Sequence, residues 1–356
     1  MLPRELPKTA SQRGENTAFH PSAWVSFQTA ATWKTCRCVA FPSDTSDNLQ
    51  TRSSNAMPIH LPPLSRRRFL AGTLAAGAGA LTPQWSFAEK TADSERLLFL
   101  SDLHVGSRRE DELHGVKPAA TLSQAVQDVL ALKERPTRAI VTGDCAFLHG
   151  EAGDYRLLGE LIEPLRNADM EFHFTLGNHD SRSRFLAAFP DAQKLADAKS
   201  KSLDKYVSVL ETPTANWFFL DSLRKTGESS GELGKAQLQW LAKSLDARPD
   251  KPALLFAHHN PTRLTNHAML DTAAFFDVIM PRKQVKAFLF GHTHAWRVAH
   301  QAGVHLVNIP TTSWLFGDQP RGFMAGLLRK DGLSLTLHTL DPKHPKHLEK
   351  VELAWR

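Results

Sequence analysis

The chain has 356 residues, 42% of them hydrophobic, enough for a large core, and no run of about 18 apolar residues that would span a bilayer as a helix. Its formal net charge of +6 is unevenly placed: residues 1–88 hold nine Lys or Arg against four Asp or Glu, leaving 34 against 33 for residues 89–356. The basic surplus belongs to the leader, so composition makes no case for nucleic-acid binding.

Residues 1–56 are rich in Ser and Thr, poor in acids and without sustained periodicity, which predicts no packed structure there. Ser65-Arg66-Arg67-Arg68-Phe69-Leu70, the apolar run Ala71 to Leu81 and the small-residue site Ser86-Phe87-Ala88 together predict an export signal. The paired arginines and the Gly/Ala-diluted apolar run resemble a bacterial twin-arginine signal. That implies the twin-arginine export machinery as a partner and a periplasmic or secreted location. The run is too short for a stable membrane anchor. The chain thus divides into an N-terminal extension over 1–56, a signal peptide over 57–88 and one domain over 89–356. Translation is expected to start at Met57, an organellar transit peptide being the alternative for the upstream segment. Cys36 and Cys38 fall in the leader, so Cys145 stands alone in the mature chain. No intramolecular disulfide and no Cys-based zinc site follow, and Cys145 reads as a small buried hydrophobe.

Leu97-Leu98-Phe99-Leu100 reads as a buried strand running into Ser101-Asp102-Leu103-His104. If the extended geometry persists, Asp102 and His104 share a face. Apolar residues from Leu122 to Leu130 then recur at helical spacing, and Arg138 to Thr142 forms a strand ending in Gly143-Asp144. A second helix carries Leu157 to Leu165. The strand with Phe172, Phe174 and Leu176 at a two-residue period ends in Gly177-Asn178-His179-Asp180. Three successive strand-helix units thus deliver polar ligand types at the same topological end.

Residues 191–203 are polar with helical leanings and read as part of a lid. Tyr206 to Leu210 and Asn216 to Leu220 form a hairpin through Thr212-Pro213-Thr214. An amphipathic helix around Trp240 precedes the strand Ala253 to Ala257, which ends in His258-His259-Asn260-Pro261. After a helix around Phe275, the strand Val285 to Phe290 ends in Gly291-His292-Thr293-His294. Short strands near 296–299, 304–309, 323–328 and 333–337 predict an antiparallel close to the domain. Five strand ends therefore carry carboxylate, amide or imidazole groups, a donor set that suits Mn, Fe or Zn. Seven ligands are too many for one such ion and fit two that share a carboxylate.

The blocks Asp102-x-His104, Gly143-Asp144, Gly177-Asn178-His179-Asp180, His258 and Gly291-His292-Thr293-His294 resemble, in this order, the calcineurin-like metallophosphoesterases. The resemblance implies an α/β fold: a four-layer αββα sandwich of two mixed β-sheets flanked by helices, with a dinuclear metal site at strand carboxyl ends. It implies one ion on Asp102, His104, Asp144 and His294, and a second on Asp144, Asn178, His258 and His292. Asp144 would bridge the two divalent or trivalent ions. The implied activity is hydrolysis of phosphodiester or phosphomonoester bonds by in-line attack of a metal-bridging hydroxide. His179 would serve the leaving oxygen and Asp180 would orient its ring. Family resemblance favours His258 over His259, and strand alternation lets only one of them face the metals easily. The stretch Asp144 to Glu151 looks like the cyclic-nucleotide phosphodiesterase branch, which implies a small phosphate ester as substrate. The alternative is a non-catalytic metal-binding scaffold of the same fold. Arg182, Arg184, Arg263, His267, Trp296 and Trp314 are candidates for a substrate rim.

Overall fold

The computed structural model describes residues 94–198, 200–262 and 267–355. The N-terminal extension, the Met57 start and the twin-arginine signal lie outside them. Two strand-helix series build two sheets. In the first, β1 (Ser94–Leu100), β2 (Arg138–Thr142) and β3 (Glu171–Thr175) are parallel and linked by α1 (Pro118–Leu130) and α2 (Ala152–Arg166). In the second, β4 (Ser208–Glu211) pairs antiparallel with β5 (Asn216–Phe219). That strand lies parallel to β6 (Ala253–Phe256), and β6 is parallel to β7 (Val285–Phe290). Helices α3 (Lys235–Asp246) and α4 (Thr272–Ile279) make the crossovers of this series.

The C-terminal strands do not form one antiparallel unit, as their lengths alone suggested. After β8 (Arg297–Gln301), β9 (Val304–Asn308) lies parallel to β7, with β8 antiparallel on its outer edge. The chain then returns to the first sheet, where β10 (Gly322–Arg329) pairs antiparallel with β1. Beyond it lie β11 (Gly332–Thr339) and β12 (Lys350–Ala354). The strand orders are β12-β11-β10-β1-β2-β3 and β4-β5-β6-β7-β9-β8, so both sheets are mixed.

Alternation along β1 explains the layers. Leu98 and Leu100 face α1 and α2, in a core with Leu122, Val126, Leu158 and Ile162. Leu97 and Phe99 face the second sheet, in a core with Trp217, Phe219, Phe256 and Leu289. The outer face of the second sheet packs Leu255 and Phe288 against Leu241, Phe275 and Ile279. Three cores between four layers bury the central strands on both faces, which is why their sequences read as continuous apolar runs. Within the segment expected to form part of a lid, the short helix Pro190–Leu195 seats Ala192 in the helix-side core. Cys145 is fully buried in the same core, as its sequence setting suggested.

Because β1, β2, β3, β6 and β7 are each followed by a crossover or loop at the same end of its sheet, their carboxyl ends gather the polar blocks. This is where open α/β sheets expose their reactive groups.

Candidate metal centre

Five of the seven expected ligands leave their strands in a left-handed backbone conformation: Asp102 (φ 52°), His104 (φ 49°), Asp144 (φ 48°), His292 (φ 70°) and His294 (φ 51°). Non-glycine residues rarely adopt it, and such strain persists only where surrounding contacts fix it. Asp102 and His104 therefore do not share a face by continuing an extended strand. Each turns sharply, with fully buried Leu103 between them. The fixing contacts are backbone bonds between strand ends: Asp102 N–H to Gly143 O (3.1 Å), His104 N–H to Asp144 O (2.9 Å) and Gly291 N–H to His258 O (3.0 Å).

Glycine is required where these ends approach most closely. A Cβ at Gly177 would stand 2.1 Å from Asp144 Oδ1 and 2.5 Å from its backbone nitrogen, and one at Gly291 would stand 1.9 Å from Ser101 Oγ. At Gly177 the obstacle is a buried carboxylate and its main chain, and at Gly291 it is the buried Ser101 hydroxyl with Asp102 Oδ2 at 2.5 Å beside it.

Four imidazoles share one arrangement. His104 Nδ1 points at Phe147 O (3.4 Å), His258 Nδ1 at Thr142 O (2.8 Å), His294 Nδ1 at Trp314 O (2.7 Å) and His292 Nε2 at His267 O (2.6 Å). A carbonyl only accepts, so the ring nitrogen facing it carries the proton and the opposite nitrogen is a bare lone pair. Those bare nitrogens converge. His104 Nε2 is 3.1 Å from His294 Nε2, and His258 Nε2 is 3.2 Å from His292 Nδ1.

The carboxylates and the amide complete two groups. Asp102 Oδ1 is 3.4 Å from His294 Nε2, and Asn178 Oδ1 is 3.2 Å from His258 Nε2. Asp144 Oδ2 lies 3.7 Å from His104 Nε2 and 3.2 Å from His258 Nε2, so it faces both groups. Lone pairs aimed at one another at such distances repel unless a cation stands between them. The donor set therefore fits metal ions, and fits the carbonyl-to-imidazole orientation usual at metal sites.

Electrostatics agree. Burial drives His104 well below its ordinary range, and burial with His258 beside it drives His292 down to about 3, leaving both rings neutral. His258 is the exception: burial works against its charge, but the Asp144 carboxylate overrides it and raises the ring to about 9, so without a cation its Nε2 also carries a proton, which a bound ion would displace. Burial alone would raise Asp144; His258, His179 and His104 together hold it well below the carboxylate range. Burial raises Asp102, and His294 opposes it.

His259 lies beside His258 and His292, its ring nitrogen within 4.8 Å of theirs, but makes different bonds. Its Nδ1 is 2.8 Å from Ser222 Oγ, and it presses against Gly231. His258, and not His259, is the residue within reach of Asp144 and Asn178.

Asp180 differs from its expected role. Its carboxylate accepts N–H bonds from Gly177 (2.8 Å), Cys145 (3.2 Å) and Ala146 (3.1 Å) and the Tyr155 hydroxyl (3.2 Å). The His179 ring is oriented instead by Leu148 O, 3.0 Å from Nδ1. Its Nε2 points toward Asp144 Oδ2 at 4.0 Å. Asp180 is spent on holding the β2 and β3 loops together, and has no acceptor left for the imidazole of the neighbouring His179.

Of the rim candidates, Arg182 is an ion-pair partner of fully buried Asp221 (2.6 Å), and Trp296 sits in the core between the sheets. Trp314 packs on His104 with ring centroids 4.0 Å apart, and Arg263 lies outside the described residues. Sequence reasoning missed several supports. Ser101 Oγ donates to Asp102 Oδ2 (2.5 Å), Thr311 Oγ1 donates to Asp102 O (3.0 Å), and Ser222 braces His259. Ser222 carries the same signal as the ligands, a polar residue just beyond a buried strand. Thr311 had no local signal.

Residues 95–296 match the calcineurin-like phosphoesterase family. The chain is 26% identical over 251 residues to a 3′,5′-cyclic adenosine monophosphate phosphodiesterase from Vibrio vulnificus, covering 69% of this chain and 86% of that protein. It is 29% identical over 201 residues to a probable glycerophosphodiester phosphodiesterase from Arcobacter nitrofigilis, covering 55% and 70%. Its fold is similar to that of a dimetal phosphatase from Danio rerio, with a TM-score of 0.58 at 16% identity over 74% of this chain and 99% of that one. With a family match spanning more than half the sequence and the family's donor groups gathered at one end of two mixed sheets, the chain belongs to the calcineurin-like phosphoesterases, hydrolases acting on phosphoric ester bonds.

Proposed function

We propose that this chain hydrolyses phosphodiesters at a pair of metal ions held by Asp102, His104, Asp144 and His294 on one side and by Asp144, Asn178, His258 and His292 on the other. The observation that carries the reading is the convergence of four imidazole nitrogens in two pairs, His104 with His294 and His258 with His292, with Asp144 Oδ2 facing one ring of each pair. When bound, two Mn, Fe or Zn ions supply an activated water and neutralise charge on the phosphoryl oxygens. The protein does the rest. Only Asp102 and Asp144 bring formal negative charge, so the loaded site stays net positive and draws in a phosphate anion. Leu148 O holds the His179 ring so that Nε2 faces the centre, and a protonated Nε2 delivers its proton to the departing ester oxygen. The diester preference draws on the names of the relatives, which describe diesterases of cyclic nucleotides and of glycerophosphodiesters. The Arg66-Arg67-bearing leader supports export of the enzyme to the periplasm or beyond.

The test is turnover of bis-p-nitrophenyl phosphate and p-nitrophenyl phosphate by protein loaded with Mn, Fe or Zn. The expected result is faster cleavage of the diester. Cleavage of the monoester alone overturns the diester assignment, and inertness of fully loaded protein toward both shows a non-catalytic scaffold.

A further inference from the structure

One flank of the metal centre is lined with rings. Trp314 is the hub: its ring centroid stands 4.0 Å from that of His104, 5.3 Å from His294, 5.5 Å from His114 and 6.5 Å from Phe147. Two residues further on, Phe316 lies on His294, with centroids 4.9 Å apart and planes at 38°. Trp314 is 4% exposed and works as packing; Phe316 is 57% exposed. The loop does not need Phe316 to keep its course. Trp314 O receives His294 Nδ1, Ser313 N–H bonds Thr311 Oγ1 at 2.9 Å, and Thr312 N–H bonds Ser101 O at 3.2 Å.

A lone exposed Phe is ordinary on a protein surface, but this one has company. His114 is exposed beside Trp314, and Leu148, whose carbonyl steers His179, is 36% exposed. Among the described residues, the opposite flank, by His258 and His292, carries hydrogen-bonding groups. There Gly227 N–H bonds Asn178 O at 2.8 Å, and Ser229 Oγ is 2.6 Å from His267 Nδ1. Among the described residues the mouth is thus asymmetric, with planar and apolar groups beside His104 and His294 and hydrogen-bonding groups across from them.

We propose that the exposed Phe316 ring, backed by His294 and Trp314, is the specificity surface of the phosphoesterase site and stacks a flat heterocycle, of the size of a nucleobase, carried by the substrate phosphate ester. The inference rests on the phosphoesterase reading above and deepens it. Every base presents a π-face, so stacking selects for a ring without demanding a particular base. A polyol ester offers no face to Phe316 and gains nothing from it.

The test compares adenosine 5′-monophosphate with ribose 5-phosphate, which share the phosphate and sugar and differ by the base. Binding is measured by calorimetry on Mn-loaded His179→Ala protein, so that turnover does not intrude. The nucleotide is expected to bind roughly tenfold tighter or more, the range of one base–aromatic stack. Adding Phe316→Ala should erase that advantage, leave ribose 5-phosphate affinity and Mn content unchanged, and Phe316→Trp should restore it. Equal affinities for the two ligands, or a Phe316→Ala loss shared by both, overturns the proposal. Failure of the diesterase reading shows elsewhere, as absent cleavage of bis-p-nitrophenyl phosphate while the base-dependent difference persists.

Discussion

The Tyr155 hydroxyl donates to Asp180 Oδ1 at 3.2 Å while accepting the Ser181 N–H at 2.7 Å, so one phenol ties helix α2 to the turn that carries Asn178 and His179. Asp180 is fully buried and accepts four hydrogen bonds there; burial pushes its carboxyl up to about 6, with Asp144 adding to the rise and the backbone N–H groups restraining it. Asp180→Ala strands three backbone donors and a phenol in the interior. It should cost about 3 kcal/mol or more, since each orphaned group costs roughly 1–3 kcal/mol. Urea denaturation measures this. A variant as stable as the parent but inactive would return Asp180 to the orienting role.

His179 and Asp144 should separate cleanly. His179→Ala leaves both donor groups intact and removes only the proton donor, so it should retain two ions and lose roughly 100- to 10,000-fold in turnover. Asp144→Asn removes the charge facing both groups, so elemental analysis should find it short of metal. A fully active His179→Ala enzyme carrying two ions would falsify the acid role.

Metal should also stabilise the fold, because ions bind the native arrangement and not the unfolded chain. At a free concentration a hundredfold above Kd, Mn should add about 2.7 kcal/mol, read as a rise in Tm that a chelator reverses. Asp144→Asn should lose most of that rise. A Tm indifferent to Mn and to chelator would show that the converging nitrogens do not hold an ion.

Much of this centre was legible because its signals are local. A buried apolar run followed by a polar block marks a strand end, and Asp102, Asp144, Asn178, His258, His292 and His294 all sit in such blocks. Side-chain direction was not legible. The extended geometry expected for Asp102 and His104 gave way to left-handed turns, because backbone bonds from the neighbouring strand fix each residue. The role expected of Asp180 failed for a similar reason, since its partners come from Cys145, Ala146 and Tyr155, far away in sequence. The pairing of β10 with β1 crosses more than 200 residues, and nothing in short alternating strands says which sheet edge they join.

Glu171 gives a pH signature outside the site. His173 Nε2 at 3.4 Å and Arg138 Nε at 3.0 Å hold its carboxyl down at about 2, against the partial burial that would raise it. Of the two contacts only the Arg138 one is a formed hydrogen bond, since His173 Nε2 has no hydrogen-bond partner. A depressed carboxylate stabilises fully above its unfolded value of 4.5 and loses that contribution as pH falls toward 2. The side chain is 46% exposed, so solvent screening limits the effect to under about 1 kcal/mol. Glu171→Gln should flatten the stability profile within this window and, above it, lower stability by that same small amount without changing the slope. An equal acid-side slope in both proteins would assign the effect to other carboxylates.

Two glycines test whether close approach, and not flexibility, builds the centre. At Gly177 an added methyl collides with the buried Asp144 carboxylate and main chain, so Gly177→Ala must displace the group that faces both metal positions. Its Mn content should fall well below that of the parent, while far-ultraviolet circular dichroism stays native. Gly303 has a left-handed φ of 91° but open space around it. Gly303→Ala should therefore cost about 1 kcal/mol of backbone strain and leave Mn content and turnover untouched. The contrast matters because both substitutions add one methyl group, and only one places it against a ligand. Normal Mn content in Gly177→Ala would show that Asp144 can shift without releasing metal, and the tight packing of β2 on β3 would then lose its explanation.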